Sequence, residues 1–265
     1  MKTISLARAN ATIAYHDRGV GPPILFIHAF PLDSGMWKEQ MDGLAAKHRV
    51  IAPDLPGFGG SSVIANWTVD SAADLLTEFL DTLGVTEQVT VAGLSMGGYI
   101  AMALARRHAA RLGKLILADT KAEPDDDTAK TGRATMIQLA GEKGSEAVIR
   151  AMLPKMLSAN TAAMQPRICE AVRAMAERQR VAGVVAALQA LRDRPDARPG
   201  LKAIAMPTLV IVGEHDAITP LANAKTTADA APGATLAVLP GAGHLSNLES
   251  PKAFGQAVMT FLKRE

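Results

Sequence analysis

The chain has 265 residues, enough for one domain whose core needs neither disulfides nor metal ions to be stable. Its 28 Lys and Arg residues nearly balance 26 Asp and Glu residues, and no basic stripe is interleaved with aromatic residues, which argues against nucleic acid as the main partner. The single cysteine, Cys169, excludes an internal disulfide, and residues 1–19 contain no apolar run as long as a signal peptide or membrane span, so we expect a cytoplasmic protein that does not act at a membrane.

The first part of the chain alternates short apolar runs with helical patterns. Residues 3–8 and 11–17 predict a hairpin, and the wholly apolar run at 24–27 predicts a strand buried on both faces. Thr68 predicts the start of a helix whose apolar residues recur at helical spacing up to Gly84. The other elements predicted in this part are helices at 34–46 and 96–109 and strands at 50–52, 89–93 and 115–118.

Residues 121–200 have a different character, rich in Ala, Arg, Met and Gln with helical periodicity and no strand-like run. They predict a helical insertion of about four short helices, whose methionines are expected to be core residues, a few of them lining an apolar acyl pocket. The sheet pattern then resumes with a strand at 207–212, a helix near 221–231, a strand near 234–239 and a last helix capped by Ser250-Pro251.

Alternating strands and helices predict an α/β protein with a mostly parallel central sheet and helices on both faces. Residues 1–120 and 201–265 would form the core domain. Residues 121–200 would form a small helical cap inserted after the strand that ends at Asp119. In such sheets, functional sites lie beyond the carboxyl ends of the strands.

Gly93, Ser95 and Gly97 form the pattern G-x-S-x-G between a predicted strand and a predicted helix. In this pattern the serine occupies a sharp, strained turn, flanked by glycines because side chains there would collide with the neighbouring strand and helix. The turn would lift the Ser95 hydroxyl above the sheet, and the N–H groups of the helix N-terminus would face a developing negative charge. The strand before and the helix after favour this interpretation over an ordinary glycine-rich turn.

A serine nucleophile needs a base, and the base needs an acid to orient it. His244 stands in a Gly-rich loop after the last predicted strand. Asp119 and Asp216 both follow strands and both lie between Ser95 and His244, so the chain order serine, acid, histidine leaves either carboxylate as the acid.

Five segments together resemble the α/β-hydrolase superfamily along nearly the whole chain. They are His28-Ala29-Phe30-Pro31, Asp54-Leu55-Pro56-Gly57-Phe58-Gly59, Gly93-Leu94-Ser95-Met96-Gly97-Gly98, Gly213-Glu214-His215-Asp216 and Gly243-His244. The chain is most similar to small bacterial serine carboxylesterases and enol-lactone hydrolases. The segment Leu117-Ala118-Asp119-Thr120 and the short cap add to that similarity.

The resemblance implies a role for each matching residue. Ser95 would be the nucleophile, His244 the general base and acid, and Asp216 the orienting carboxylate. The backbone N–H groups of Phe30 and Met96 would form the oxyanion hole. The family usually has glycine after its first histidine, whereas this chain has Ala29, whose methyl group borders the loop that carries the Phe30 N–H.

Three further polar residues, His28, Asp54 and His215, are interpreted as structural, and Trp37 and Tyr99 as packing residues. No His, Cys or carboxylate cluster has metal-ligand spacing, and no G-x-G-x-x-G opens a helix, so neither a metal nor a cofactor is expected.

The sequence therefore predicts a serine esterase acting on small, short-chain carboxylic esters. Lactone hydrolysis and perhydrolysis use the same triad and stay open. Dehalogenase and epoxide hydrolase activities are disfavoured, since those enzymes carry aspartate where this chain has Ser95. A function of another class also stays open, a small-molecule receptor with a slow triad, and the sequence allows a monomer or a homodimer.

Overall fold

A computed structural model describes residues 1–264, in which eight strands form one sheet. The strands are β1 (Lys2–Leu6), β2 (Ala11–Arg18), β3 (Pro23–Ile27), β4 (Arg49–Pro53), β5 (Val89–Leu94), β6 (Leu112–Ala118), β7 (Thr208–Gly213) and β8 (Thr235–Leu239). Their order across the sheet is β1-β2-β4-β3-β5-β6-β7-β8. The pairs β1–β2 and β2–β4 are antiparallel, and all other neighbours are parallel, which confirms the predicted hairpin and the mostly parallel sheet.

Eleven α-helices connect or cover these strands within residues 1–264. They are α1 (Lys38–Leu44), α2 (Val69–Thr82), α3 (Met96–Arg107), α4 (Asp127–Met156), α5 (Ala159–Met164), α6 (Pro166–Glu177), α7 (Val181–Arg192), α8 (Arg198–Lys202), α9 (Leu221–Ala230), α10 (Ser246–Glu249) and α11 (Pro251–Leu262). Two short 3₁₀-helices span Ser34–Trp37 and Ala109–Arg111. Among these residues no helix combines the length and the apolar character that crossing a bilayer requires.

Both faces of the sheet are covered, because successive side chains of a strand point to opposite faces. In β3, Leu25 and Ile27 pack in the apolar cluster that contains residues of α2 and α3. Ile24 and Phe26 pack in the cluster that contains residues of α1 and α11. A strand buried on both faces needs a continuous apolar run, and residues 24–27 supply it.

Helix α2 shows how local sequence sets the helix ends. The Thr68 hydroxyl accepts a hydrogen bond from the Ser71 N–H at 3.1 Å, and the Ser71 hydroxyl accepts one from the Thr68 N–H at 2.8 Å. These reciprocal bonds satisfy two N–H groups that have no partner inside the helix. The chain leaves the helix at Gly84, whose φ of +70° suits glycine.

The helical insertion, residues 121–200, lies between β6 and β7 and holds four helices, α4 to α7, with α8 at its carboxyl end. α4 spans 30 residues but consists of two helical segments joined at Gly144, whose φ is 79°. The insertion therefore holds five helical segments before α8, against about four short helices predicted.

Two details at the carboxyl end of the chain differ from the sequence prediction. The Ser250 side chain makes no capping hydrogen bond, so only Pro251, at the first position of α11, marks that helix start as predicted. The short helix α10 was not predicted, because one helical turn shows no periodicity.

The turn between β5 and α3 brings backbone segments into unusually close contact. A Cβ atom added at Gly97 would lie 2.1 Å from the Ile27 carbonyl oxygen, and one added at Gly93 would lie 2.1 Å from the Gly97 carbonyl oxygen. Both neighbours are backbone atoms, which cannot rotate away as a side chain does. This confirms that the two positions require glycine for steric reasons.

Replacement of Gly97 by alanine tests this steric requirement. Gly97→Ala should lower the free energy of unfolding by about 2–4 kcal/mol, because either β3 or α3 has to shift. Gly255→Ala is a matched control in the interior of α11, where an added Cβ meets no atom within 4 Å. That change should raise the stability by up to about 1 kcal/mol. Urea denaturation of the two variants measures both effects, and an unchanged midpoint for Gly97→Ala would contradict the close packing.

Candidate active site

The candidate site lies at the carboxyl ends of adjacent strands. Ser95 follows β5, Asp119 follows β6, Asp216 lies three residues after β7, and His244 lies in the loop after β8. Because parallel strands end at the same edge of the sheet, residues far apart in the sequence meet there. The sequence analysis expected this edge to hold the site.

Ser95 occupies a strained turn, with φ 56° and ψ −113°. Its N–H donates to the Ala118 carbonyl at 2.9 Å. Its own carbonyl accepts from the Gly98 N–H and from the Thr120 hydroxyl, each at 2.9 Å. A backbone of this kind costs about 1–3 kcal/mol and persists only when its surroundings hold it in place. These three bonds hold Ser95 between β6 and α3.

A continuous chain of hydrogen bonds joins three of the candidate residues. His244 Nε2 lies 2.9 Å from Ser95 Oγ, and His244 Nδ1 lies 2.9 Å from Asp216 Oδ2. A carboxylate only accepts, so Nδ1 carries the ring proton and Nε2 is free to accept from the Ser95 hydroxyl. His244 and Asp216 are buried, whereas Ser95 is half-buried. The arrangement can pass a proton from Ser95 to His244 while Asp216 keeps the imidazole oriented.

The environment of Asp216 favours its ionised form. Its Oδ1 accepts from the Ile218 and Thr219 N–H groups at 2.8 and 2.9 Å, and its Oδ2 accepts from the Thr219 hydroxyl at 2.7 Å. Burial by itself raises the pKa of the Asp216 carboxyl, but the charge and hydrogen bond of His244 and the bonds from Thr219 outweigh it and hold the pKa below the usual value. The sequence analysis missed Thr219, although Asp followed by Thr three residues later is a recognisable turn pattern.

Asp119, the other carboxylate that the chain order allowed, has different partners. Its Oδ1 accepts from the Gly213 N–H at 2.8 Å, and its Oδ2 is hydrogen-bonded to the Ser246 hydroxyl. Within residues 1–264 it makes no hydrogen bond to His244. Of the two carboxylates, Asp216 is therefore the one in contact with the imidazole.

Two backbone N–H groups, those of Met96 and Phe30, are the predicted oxyanion donors. Met96 begins α3, and Phe30 lies in the loop after β3; both residues are buried. Neither N–H donates to a protein acceptor within residues 1–264. A buried amide without an acceptor is uncommon, and such a pair is available to a negatively charged oxygen.

The loop that carries Phe30 is held from behind by His28. The His28 Nδ1–H donates to the Ala29 carbonyl at 3.0 Å, and Nε2 accepts from the Leu55 N–H at 2.9 Å. His28 is thus a structural residue, as expected. The Ala29 methyl group is fully buried in the apolar cluster that also holds Leu32 and Met36, so this cluster accommodates it.

The remaining polar and aromatic candidates have structural positions. Asp54 accepts from the Ser34 and Gly60 N–H groups, each at 2.9 Å, and so joins two loops. Trp37 is fully buried against the rings of Phe26 and Phe254. Within the part of the chain described by the structure, no group of three or more His, Cys, Asp or Glu side chains could hold a metal ion.

The helical insertion is attached to the loop that follows Phe30. Arg178 forms two-pronged hydrogen bonds with the Asp33 carboxylate, and Gln179 donates to the same carboxylate at 2.9 Å. Gln179 also accepts from the Gly59 N–H at 2.8 Å. The Asp33 side chain is almost fully buried, whereas the Arg178 side chain is 57% exposed, so water is kept from the carboxylate rather than from the guanidinium.

A second attachment joins the insertion to the loop of His244. The buried Glu249 carboxylate accepts from the Gly243 N–H and from the Ser158 N–H, each at 2.9 Å. The Leu245 N–H donates to the Met156 carbonyl at 3.1 Å. Neither attachment is indicated by the sequence, since the partners are far apart in the chain, for example 91 residues for Ser158 and Glu249, and share no motif.

The pH dependence of stability tests the burial of His28. Burial lowers the pKa of His28 from its ordinary value of 6.5, although the Ala29 carbonyl and Asp54 oppose the shift. The unfolded chain therefore takes up this proton at a higher pH than the folded protein. The contribution of His28 to stability is complete above about pH 6.5 and is lost as the pH falls, by at most about 1.4 kcal/mol per pH unit.

The measurement compares the wild type with His28→Gln, which has no ionisable group at this position. The excess stability of the wild type over this variant should shrink from about pH 8 to about pH 5 in urea denaturation. A His28 difference that is constant with pH would show that this ring titrates normally.

Comparisons with known proteins identify the family. The model of the alpha/beta hydrolase family matches residues 24–257. The chain is 30% identical over 255 residues to 3-oxoadipate enol-lactonase 2 of Acinetobacter baylyi, covering 96% of this chain and 92% of that protein. The structure of a thermophilic esterase from Thermogutta terrifontis, 37% identical, matches with a TM-score of 0.96 over 99% of this chain and 98% of its own. An enol-lactonase from Burkholderia xenovorans, 28% identical, matches with a TM-score of 0.92 over 99% and 100% of the two chains. The chain therefore belongs to the alpha/beta hydrolase family, as its motifs indicated.

Proposed function

We propose that this protein is a serine esterase that hydrolyses small, short-chain carboxylic esters through an acyl-enzyme on Ser95. The observation that carries the proposal is the hydrogen-bonded chain from Ser95 through His244 to Asp216. The half-buried hydroxyl lies within reach of a base whose own orientation is fixed by a buried carboxylate. The likeness to the Thermogutta terrifontis esterase supports the same conclusion.

In the first half of the reaction, Ser95 Oγ attacks the ester carbonyl while its proton moves to His244 Nε2. The tetrahedral intermediate places a negative charge on the former carbonyl oxygen, and the N–H groups of Met96 and Phe30 donate to it. Such preorganised donors contribute about 2.7–4 kcal/mol each to lowering the barrier in comparable sites. His244 then returns its proton to the leaving alcohol, and the acyl-enzyme remains.

In the second half, His244 takes a proton from water as the water attacks the acyl-enzyme. His244 then gives that proton to Ser95 Oγ as the acyl–oxygen bond breaks, which releases the carboxylic acid and restores the serine hydroxyl. Asp216 stays ionised throughout and stabilises the imidazolium that forms in each half. These steps need only side chains, backbone N–H groups and water, so we propose that no cofactor or metal takes part.

We further propose that the helical insertion, residues 121–200, acts as a cap that forms the acyl pocket. Its partly buried Met136, Ile137 and Met152 pack against the apolar cluster that contains Phe30 and Met96. Apolar side chains on the insertion suit an acyl chain better than a charged group. The attachments at Asp33 and Glu249 support a cap of limited depth.

Lactone hydrolysis is the second candidate, favoured by the two enol-lactonases among the similar proteins. The chemistry is the same, except that the leaving alcohol stays attached to the acyl group. Rates on lactones and on aryl esters, measured side by side, distinguish the two functions.

Loss of the Ser95 hydroxyl tests the proposed nucleophile. Ser95→Ala should lower kcat for aryl ester hydrolysis by about a million-fold, down to the background rate, and leave the fold unchanged. A serine-directed organophosphate should label Ser95 alone, as peptide mass spectrometry can determine. Ser5→Ala, at an exposed position of β1, is the control and should keep the wild-type rate.

Two outcomes would contradict the proposal. If Ser95→Ala hydrolysed esters at nearly the wild-type rate, Ser95 would not be the nucleophile. A single, very slow turnover in the wild type, with tight retention of the ligand, would favour the small-molecule receptor instead.

The acyl chain length of the best substrate tests the proposed pocket. Each buried methylene contributes roughly 0.8 kcal/mol, so kcat/KM should rise about fourfold per carbon over the first few carbons. It should fall once the chain meets the pocket end, where strain exceeds the gain from burial. Aryl esters of two to about six acyl carbons are compared with one long-chain ester. A maximum at the long-chain ester, or activation by an oil–water interface, would instead indicate a lipase.

A further inference from the structure

Asp119 is a buried carboxyl group that the proposed mechanism does not use. Its side chain is fully buried at the carboxyl end of β6, between the ends of β5 and β7. Its backbone has a φ of 44°, which is unfavourable for a residue with a side chain, and its N–H donates to the Ile211 carbonyl at 2.9 Å. A strained backbone persists only where the surrounding interactions stabilise it, and such strain is often found at functional sites.

The two oxygens of Asp119 bind two different loops. Oδ1 accepts from the N–H of Gly213, three residues before Asp216, at 2.8 Å. Oδ2 is hydrogen-bonded to the hydroxyl of Ser246, two residues after His244. The side chain therefore connects the loop that holds the orienting acid to the loop that holds the imidazole.

We infer that Asp119 is a positioning residue, which fixes the distance between Asp216 and His244 through its hydrogen bonds to Gly213 and Ser246. This inference rests on the proposed serine mechanism, since Asp119 acts only through that pair. The bond between His244 Nδ1 and Asp216 Oδ2 is 2.9 Å long and joins loops that follow different strands. A displacement of about 1 Å in such a constellation can lower the rate about a hundredfold.

The surroundings of Asp119 also explain how two carboxyl groups share this buried region. Burial raises the pKa of Asp119 well above its ordinary value, and the negative charge of Asp216 raises it further, against the opposing bonds from Ser246 and Gly213. The raised pKa of Asp119 favours its neutral form, whereas the lowered pKa of Asp216 favours its ionised form. A neutral carboxyl group has one donor and one acceptor side, which the amide of asparagine reproduces.

The test compares substitutions that keep or remove the two bonds. Asp119→Asn keeps an acceptor for the Gly213 N–H and places its amide N–H₂ against the Ser246 hydroxyl, which then accepts instead of donating, so kcat should stay within about fivefold of the wild type. Asp119→Ala removes both bonds, and kcat should fall about a hundredfold with KM changed less than about threefold. Ser246→Ala removes only one bond and should lie between the two. Asp216→Asn, which removes the orienting acid itself, should be slower than all of them.

Three further measurements separate positioning from general destabilisation. Val85 is buried just before the amino end of β5, at the end of the strand away from Ser95. Val85→Ala should therefore lower the stability without lowering kcat. The acid limb of the kcat/KM profile should not move in Asp119→Asn. The low-field proton resonance of His244 Nδ1–H should persist in Asp119→Asn and weaken in Asp119→Ala.

Two results would overturn the inference: an Asp119→Asn variant as slow as Asp216→Asn, or an acid limb displaced by Asp119→Asn. Either one would mean that Asp119 acts through its charge on His244. If the wild type hydrolyses no ester, the proposed function fails, and the Nδ1 proton still tests the connection without substrate. An equal signal in Asp119→Ala and the wild type would then refute it.

Discussion

The packing of α3 against the end of β3 is the constraint on which the site depends. With glycine at position 97, the helix backbone reaches the Ile27 carbonyl at a distance that no side chain permits. This contact forces the chain to turn sharply at Ser95, so the residue adopts a positive φ and its hydroxyl stands above the sheet edge. The same helix start leaves the Met96 N–H without an internal acceptor. The close contact at Gly97 thus places the Ser95 hydroxyl next to the Met96 N–H.

Electrostatics then divides the roles of two neighbouring carboxyl groups. Asp216 receives hydrogen bonds from Thr219 and faces His244, so its pKa is lowered despite burial. Asp119 has fewer donors and faces the charge of Asp216, so its pKa is raised. Two adjacent negative charges in a buried region repel each other, and the two opposite pKa shifts act in the direction that reduces this repulsion. The division depends on hydrogen-bond partners rather than on residue type.

The helical insertion is joined to the loops around Ser95 by bonds that are largely shielded from water. Asp33 binds it beside the loop of Phe30, and Glu249 binds it beside the loop of His244. A third connection lies at its two ends, where the buried Asp125 pairs with Arg194 at 2.8 Å, and Arg194 stacks on Tyr99 of α3. Removing one partner of a buried ion pair strongly lowers the stability of a protein. We therefore expect small local movements of the insertion, rather than wide opening, to admit substrate.

The sequence by itself determined the elements that depend on local physics. Apolar runs defined the buried strands, Thr68 defined a helix start, and G-x-S-x-G defined the strained turn, because each depends on neighbours a few residues away. The chain order also narrowed the acid to Asp119 or Asp216. The family resemblance indicated Asp216, and the tertiary structure places that carboxylate, rather than that of Asp119, within 2.9 Å of a His244 ring nitrogen 28 residues away. Only the tertiary structure decided the bend in α4 and the attachments of the insertion, because hydrogen bonds between distant segments leave no periodic signal in the sequence.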